Sequence, residues 1–146
     1  IVFSPDGNSI PEKIPELAAK MQEGYDLVIV SRYLDGAKSY DDDWVTAFGN
    51  WFFTALIRVL FRAPITDCLV MYRGYRRDIV ETLKIKTPAV SWGSQILARA
   101  ARKNLRIGEI PGDEPPRIGG IRKMSPLKNG MSELTMIIKE FFNWSY

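Results

Sequence analysis

The sequence contains no histidine and a single cysteine, Cys68. The first absence removes imidazole acid–base catalysis and the usual zinc clusters, and the second excludes an internal disulfide. Chemistry in this chain must therefore use carboxylates, cations and metals bound through oxygen. There is no secretory leader, and the first residue is Ile rather than Met, so the chain reads as an excised piece of something longer. Charge is missing from Trp44 to Ile57, but Gly49, Asn50 and two threonines interrupt that run and Arg58 follows it. It reads as a buried or interface-lying helix rather than a membrane span. No internal repeat or low-complexity tract is present.

What is present suffices for a core. With 146 residues, 46% of them hydrophobic, the chain is long enough for one domain spanning 1–146. Its formal charge of +3 is unevenly spread, because Ala98 to Lys128 holds eight Lys and Arg against three Asp and Glu. A basic C-terminal third suggests an anionic partner, such as phosphate, a lipid head group or nucleic acid, although solvated helix faces explain many such runs.

The chain opens with Ile1-Val2-Phe3-Ser4-Pro5-Asp6-Gly7-Asn8, a short apolar run that delivers one carboxylate into a Pro-Asp-Gly turn. Pro5, Asp6 and Gly7 each have a backbone reason to make a turn. Equally, side chains just beyond the carboxyl ends of buried strands line the crevice where α/β proteins bind ligands. Ser9 to Glu12 reads as a helix start, followed by an apolar stripe of Leu17, Ala18 and Met21 that Gly24 ends. Tyr25 to Val30 is a strand suited to a sheet covered on both faces, which completes a βαβ unit. Arg32 follows at once and falls at the same sheet edge as Asp6. Asp41-Asp42-Asp43 either caps the next helix, Trp44 to Phe61, or holds a metal. Trp44, Phe48, Trp51, Phe52 and Leu56 recur at helical spacing and are expected in the core. Asp67 to Arg73 reads as a strand, Arg76 to Leu83 and Ser94 to Lys103 as helices, and Leu105 to Ile110 as the last strand. Gly112 to Gly130 is a long loop rich in Pro, Gly and cations, and Met131 to Trp144 an amphipathic helix. That helix either packs on the sheet or, with the cations beside it, anchors the protein at an anionic membrane surface.

Ser-Pro-Asp-Gly-Asn (4–8), Pro11-Glu12, Gly24-Tyr25-Asp26, Ser31-Arg32-Tyr33, Tyr72-Arg73 and Arg117-x-Gly-Gly-x-Arg-Lys123 occur in one order. Together they resemble glycosyltransferase family 2, nearest its dolichyl- or polyprenyl-phosphate sugar transferases, over nearly the whole chain. Two departures stand out. The first acid of the family's Asp-x-Asp-Gly motif falls at Ser4, and the βα units that precede the motif and hold the nucleotide base are absent.

The resemblance implies an α/β fold, the C-terminal part of a GT-A domain, acting in the full-length protein on a nucleotide-sugar donor with inversion; the fragment alone is expected to be inactive. It implies Mg²⁺ or Mn²⁺ at Asp6, weakly held or assisted by the donor diphosphate. Arg32, Arg73, Arg117 and Lys123, with Asn8, would bind donor or acceptor phosphates. A sugar-hydroxyl acceptor needs a general base, for which Asp67 is the candidate, whereas an anionic acceptor such as a polyprenyl phosphate needs none. A glycan acceptor is the alternative, and a non-catalytic binding module, favoured by Ser4, a second. The expected setting is the cytoplasmic face of a membrane, without nucleic acid, and with self-association possible through the open edge at Ile1-Val2-Phe3.

Overall fold

A computed structural model of the chain describes residues 1–4, 7–85, 91–119 and 125–142. The elements in order are α1 (Lys13–Gln22), β1 (Leu27–Ser31), α2 (Trp44–Phe61), β2 (Arg73–Tyr75), α3 (Ile79–Thr82), α4 (Trp92–Arg102), β3 (Ile107–Pro111) and α5 (Pro126–Phe142). The fold is mixed α/β, with a small sheet flanked by helices. β1 is its centre, antiparallel to β2 (Ile29 opposite Arg73) and parallel to β3 (Leu27 opposite Ile107, Ser31 opposite Pro111).

Every residue of β1 is buried, as its unbroken apolar run requires. Neighbouring strand residues point to opposite faces, and β2 shows which helices cover each. Gly74 faces Leu17 and Met21 of α1, whereas Arg73 reaches the Gly93 carbonyl in α4. The helix α1 therefore covers one face and α4 the other, with α2 and α5 packed against α4 and each other.

The opening strand is shorter than expected. Val2 makes a single antiparallel bridge to Arg73, with Val2 N–H donating to the Arg73 carbonyl at 2.8 Å and Arg73 N–H to Val2 at 2.9 Å. Since β2 opposes both, the Val2 segment and β1 run the same way with β2 between them. The expected βαβ unit is thus split by a reversed strand. Ser9 does not cap α1, whose N-cap is Glu12; its hydroxyl accepts the Ser4 N–H instead.

The strand expected over Asp67 to Arg73 is also corrected. Asp67 Oδ1 accepts the Val70 N–H, Asn50 Oδ1 the Leu69 N–H and Thr54 Oγ1 the Cys68 N–H. With those donors taken by side chains, no ladder forms until Arg73. Likewise α5 begins at Pro126, inside the expected loop, because proline is pre-set for the first helical turn, where its missing N–H costs nothing.

The helix α2 matches its expected span. Asp43 caps it, accepting the Thr46 N–H at 2.8 Å. Asp43→Ala is expected to lower stability by about 1 kcal/mol, read as a lower urea midpoint; an unchanged midpoint would assign the start of α2 to packing alone. Of its expected core stripe, however, only Leu56 packs against the core. Trp44, Phe48 and Trp51 are 81%, 59% and 64% exposed, while Asn50, Phe53, Thr54, Ile57 and Phe61 face inward. Apolar on nearly every side, α2 had two stripes to offer, and the one carrying Asn50 and Thr54 was needed to satisfy the 67–70 turn. By length and composition alone, its 18 residues are apolar enough to cross a membrane, with 28% of them buried.

The far end of α5 is fastened to α4. Glu140 accepts from Arg99 Nε and Nη2 at 2.8 and 2.6 Å and from Gln95 Nε2 at 2.6 Å. Arg102 caps the last carbonyls, those of Glu140 and Phe141.

Candidate functional site

The carboxyl ends of the parallel strands β1 and β3 bring Arg32 beside the segment after Pro111. Arg32 is almost wholly buried and its guanidinium is fully engaged. Nε and Nη2 form a fork on Asp67 at 2.7 and 2.9 Å, while Nη1 reaches Asp42 at 3.1 Å and Glu114 at 2.9 Å. Burial opposes the charge of Arg32, but Asp67, Glu114 and Asp42 outweigh it and hold the guanidinium protonated well above its ordinary range.

Asp67 is completely buried, and both its oxygens accept hydrogen bonds. Here it holds Arg32 and the 67–70 turn, with neither oxygen facing solvent. Glu114 ties three elements together, accepting from Asn8 Nδ2 at 3.1 Å, from Ser39 Oγ at 2.5 Å and from Arg32. A parallel bridge between Ser39 and Glu114 supports it from the backbone. Asn8 is thereby docked to this edge. Gly7, at φ +88°, sits so close under Ile118 that a Cβ would lie 2.4 Å from the Ile118 Cγ1. Arg117 forks onto Asp41 at 3.1 and 2.5 Å. Asp6 and Lys123 lie outside the described residues.

Of the three aspartates before α2, therefore, only Asp43 is the cap; Asp41 and Asp42 pair with Arg117 and Arg32. Among the described residues, no group of three or more Asp, Glu, His or Cys could hold a metal. Sequence reasoning missed Glu114 and Asp42, whose partners lie far off in the chain or were masked by the capping signal.

Arg73 occupies a different place, below this edge on the face toward α4. It is fully buried, with Nη1 donating to the Gly93 carbonyl at 2.8 Å, Nη2 to the Val70 carbonyl, and its guanidinium 5.5 Å from the Trp92 ring. Burial lowers its pKa to about 10, against the pull of Asp67. Arg73 forms part of the wall of a cavity of about 620 Å³ between α2 and α5. That wall is otherwise largely apolar, including Val45, Phe48, Phe52, Leu69, Met71 and Leu134, with Ser94 and Glu133 beside Arg73 on its buried side. Asp67 immediately precedes the Cys68-Leu69 segment of this wall, so the cavity adjoins the Arg32 network.

No family model matches the chain. It is similar to the undecaprenyl-phosphate mannosyltransferase of Micrococcus luteus, 31% identical over 125 residues that make up 82% of this chain and 50% of the relative. The polyprenol monophosphomannose synthase of Mycolicibacterium smegmatis is 27% identical over 123 residues, 82% of this chain and 46% of the relative. The dolichyl-phosphate hexose transferase of Haloferax volcanii is 27% identical over 128 residues, 88% and 54%. The chain spans about half the length of the curated relatives it matches. Over some four fifths of its own length, then, this chain resembles the polyprenyl-phosphate sugar transferases of glycosyltransferase family 2.

Proposed function

We propose that the chain is the C-terminal portion of a family 2 glycosyltransferase domain of GT-A fold. The full-length protein would transfer a sugar from a nucleotide-sugar donor, with inversion, to a polyprenyl phosphate at a membrane surface. The observation that carries this reading is the apolar cavity between α2 and α5, beside the exposed aromatic side of α2. A polyprenyl chain is insoluble in water and must be taken from lipid into apolar surroundings. Trp44 and Trp51 outside the cavity, with the half-exposed Phe48 at its wall, provide the amphipathic contact that an interfacial helix makes with head groups.

The chemistry follows from charge. A phosphate acceptor is already a nucleophile and needs no base, which agrees with an Asp67 whose oxygens are both taken. Arg32, held by Asp67, fixes the edge to which Asn8 is tied through Glu114. A divalent cation at Asp6, carried in with the donor, would neutralise the leaving diphosphate. Arg117, next to the Ile118 that covers Gly7, and Lys123 are the proposed further contacts to phosphate.

The test is transfer by the full-length protein in membranes, using a panel of labelled nucleotide sugars with and without added undecaprenyl phosphate. Label should enter the organic phase only when that lipid is present. Label recovered solely in water-soluble glycan, or none with any donor, would overturn the reading.

A further inference from the structure

One buried acid has no task in the reaction as set out above. Glu133, on α5, is 5% exposed at the cavity wall, and among the described residues its Oε1 has no hydrogen-bond partner. Among the described residues, the groups that face it are Arg73 from β2, Ser94 from α4 and Cys68 from the turn before β2; α2 contributes no charged residue to the cavity. Arg73 has an unpartnered atom as well, its Nε. Gly93 permits that arrangement, because a Cβ there would stand 2.9 Å from the guanidinium.

Two orphaned polar atoms in one apolar wall are costly unless an occupant satisfies both. Arg73 Nε–H can only donate. A carboxyl at Glu133 can donate too once it holds a proton. With that proton in place, an occupant whose head carries only acceptor oxygens satisfies both atoms. Burial, opposed by Ser94 and Arg73, lifts the Glu133 carboxyl to about 7, whereas burial pushes the Cys68 thiol up to about 12, so it stays neutral. Glu133 is therefore the group in this wall whose charge changes near neutral pH. With its proton, the pair presents one net positive charge; without it, an entering anion meets a carboxylate.

We propose that Glu133 is a specificity-determining residue of the α2–α5 cavity, one that couples the entry of an anionic head group to uptake of one proton from solvent. The carboxylate becomes a carboxyl, no other bond is made or broken, and the head oxygens accept from Glu133 and from Arg73 Nε. This rests on the reading above that the occupant is a lipid phosphate.

The experiment is calorimetric titration of the full-length protein in detergent with farnesyl phosphate, farnesol and inorganic phosphate, between pH 6 and 9 and in two buffers of different ionisation enthalpy. Farnesyl phosphate should bind wild type roughly tenfold more weakly for each pH unit above about 7. Glu133→Gln keeps a donor and should fold with an unchanged or higher melting temperature. Its binding should be nearly independent of pH above 7, with one proton fewer taken up; the same ligand in both proteins cancels the titration of its own phosphate. Farnesol should bind with no pH slope, and inorganic phosphate should not compete. Equal slopes in wild type and Glu133→Gln, with binding intact, would overturn the role of Glu133 alone. No binding of farnesyl phosphate at any pH would overturn both this role and the lipid-phosphate reading, and competition by inorganic phosphate would remove the cavity from it.

Discussion

Asp67→Ala is expected to destabilise the protein by about 3–5 kcal/mol. Asp67 receives four hydrogen bonds, from Arg32 N–H, Nε and Nη2 and from the Val70 N–H. Its removal leaves a guanidinium buried with only Asp42 and Glu114 on one nitrogen, and it releases the turn that Asn50 and Thr54 also hold. Urea unfolding followed by tryptophan fluorescence reads the loss. Asp67→Asn should fall between the two, since an amide still accepts the backbone donors but carries no charge. An alanine variant within about 1 kcal/mol of wild type would mean that water reaches Arg32 freely.

Asp6→Asn is expected to reduce turnover of the full-length protein about 100-fold or more, with melting temperature and lipid binding unchanged. Removing one charge from a dry site where negative charge gathers on a leaving diphosphate has effects of that order. On either side of residues 5 and 6, Ser4 N–H donates to Ser9, Gly7 lies under Ile118, and Asn8 is tied to Glu114. Steady-state transfer at saturating lipid measures the change. Activity within a few-fold of wild type would assign Asp6 to its turn, the role its Pro-Asp-Gly setting also allows.

Local signals in the sequence were legible where one element decides its own fate. The span of α2, the Asp43 cap, the apolar run of β1 from Leu27 to Val30 and the placing of Arg32 at the end of β1 follow from periodicity and capping chemistry. What periodicity cannot say is which of two apolar stripes turns inward. On α2 the choice was made by Asn50 and Thr54, whose partners at 68 and 69 lie outside any local window. The same partners explain why an apolar run from Cys68 to Tyr72 is not a strand. Glu114 and Asp42 join Arg32 across separations of 82 and 10 residues, and Asp42 stood next to a genuine cap. Glu133 was hidden differently: in an amphipathic helix an acid reads as solvent-facing, and only the packing of α5 against α4 turns it inward.

The fastening of α5 at one end makes that helix a cantilever. Its C-terminal turn is clamped by Arg99, Gln95 and Arg102, a rigid mount on α4. Its first turns carry Leu127 and Met131, which border the cavity and are themselves largely exposed. A small tilt about the mount therefore moves the end of α5 away from it most. A tilt of this kind would widen the cavity mouth, while the wall bearing Arg73 and Ser94 stays with the sheet and α4, so a bulky chain could be admitted there without disturbing the Arg32 edge.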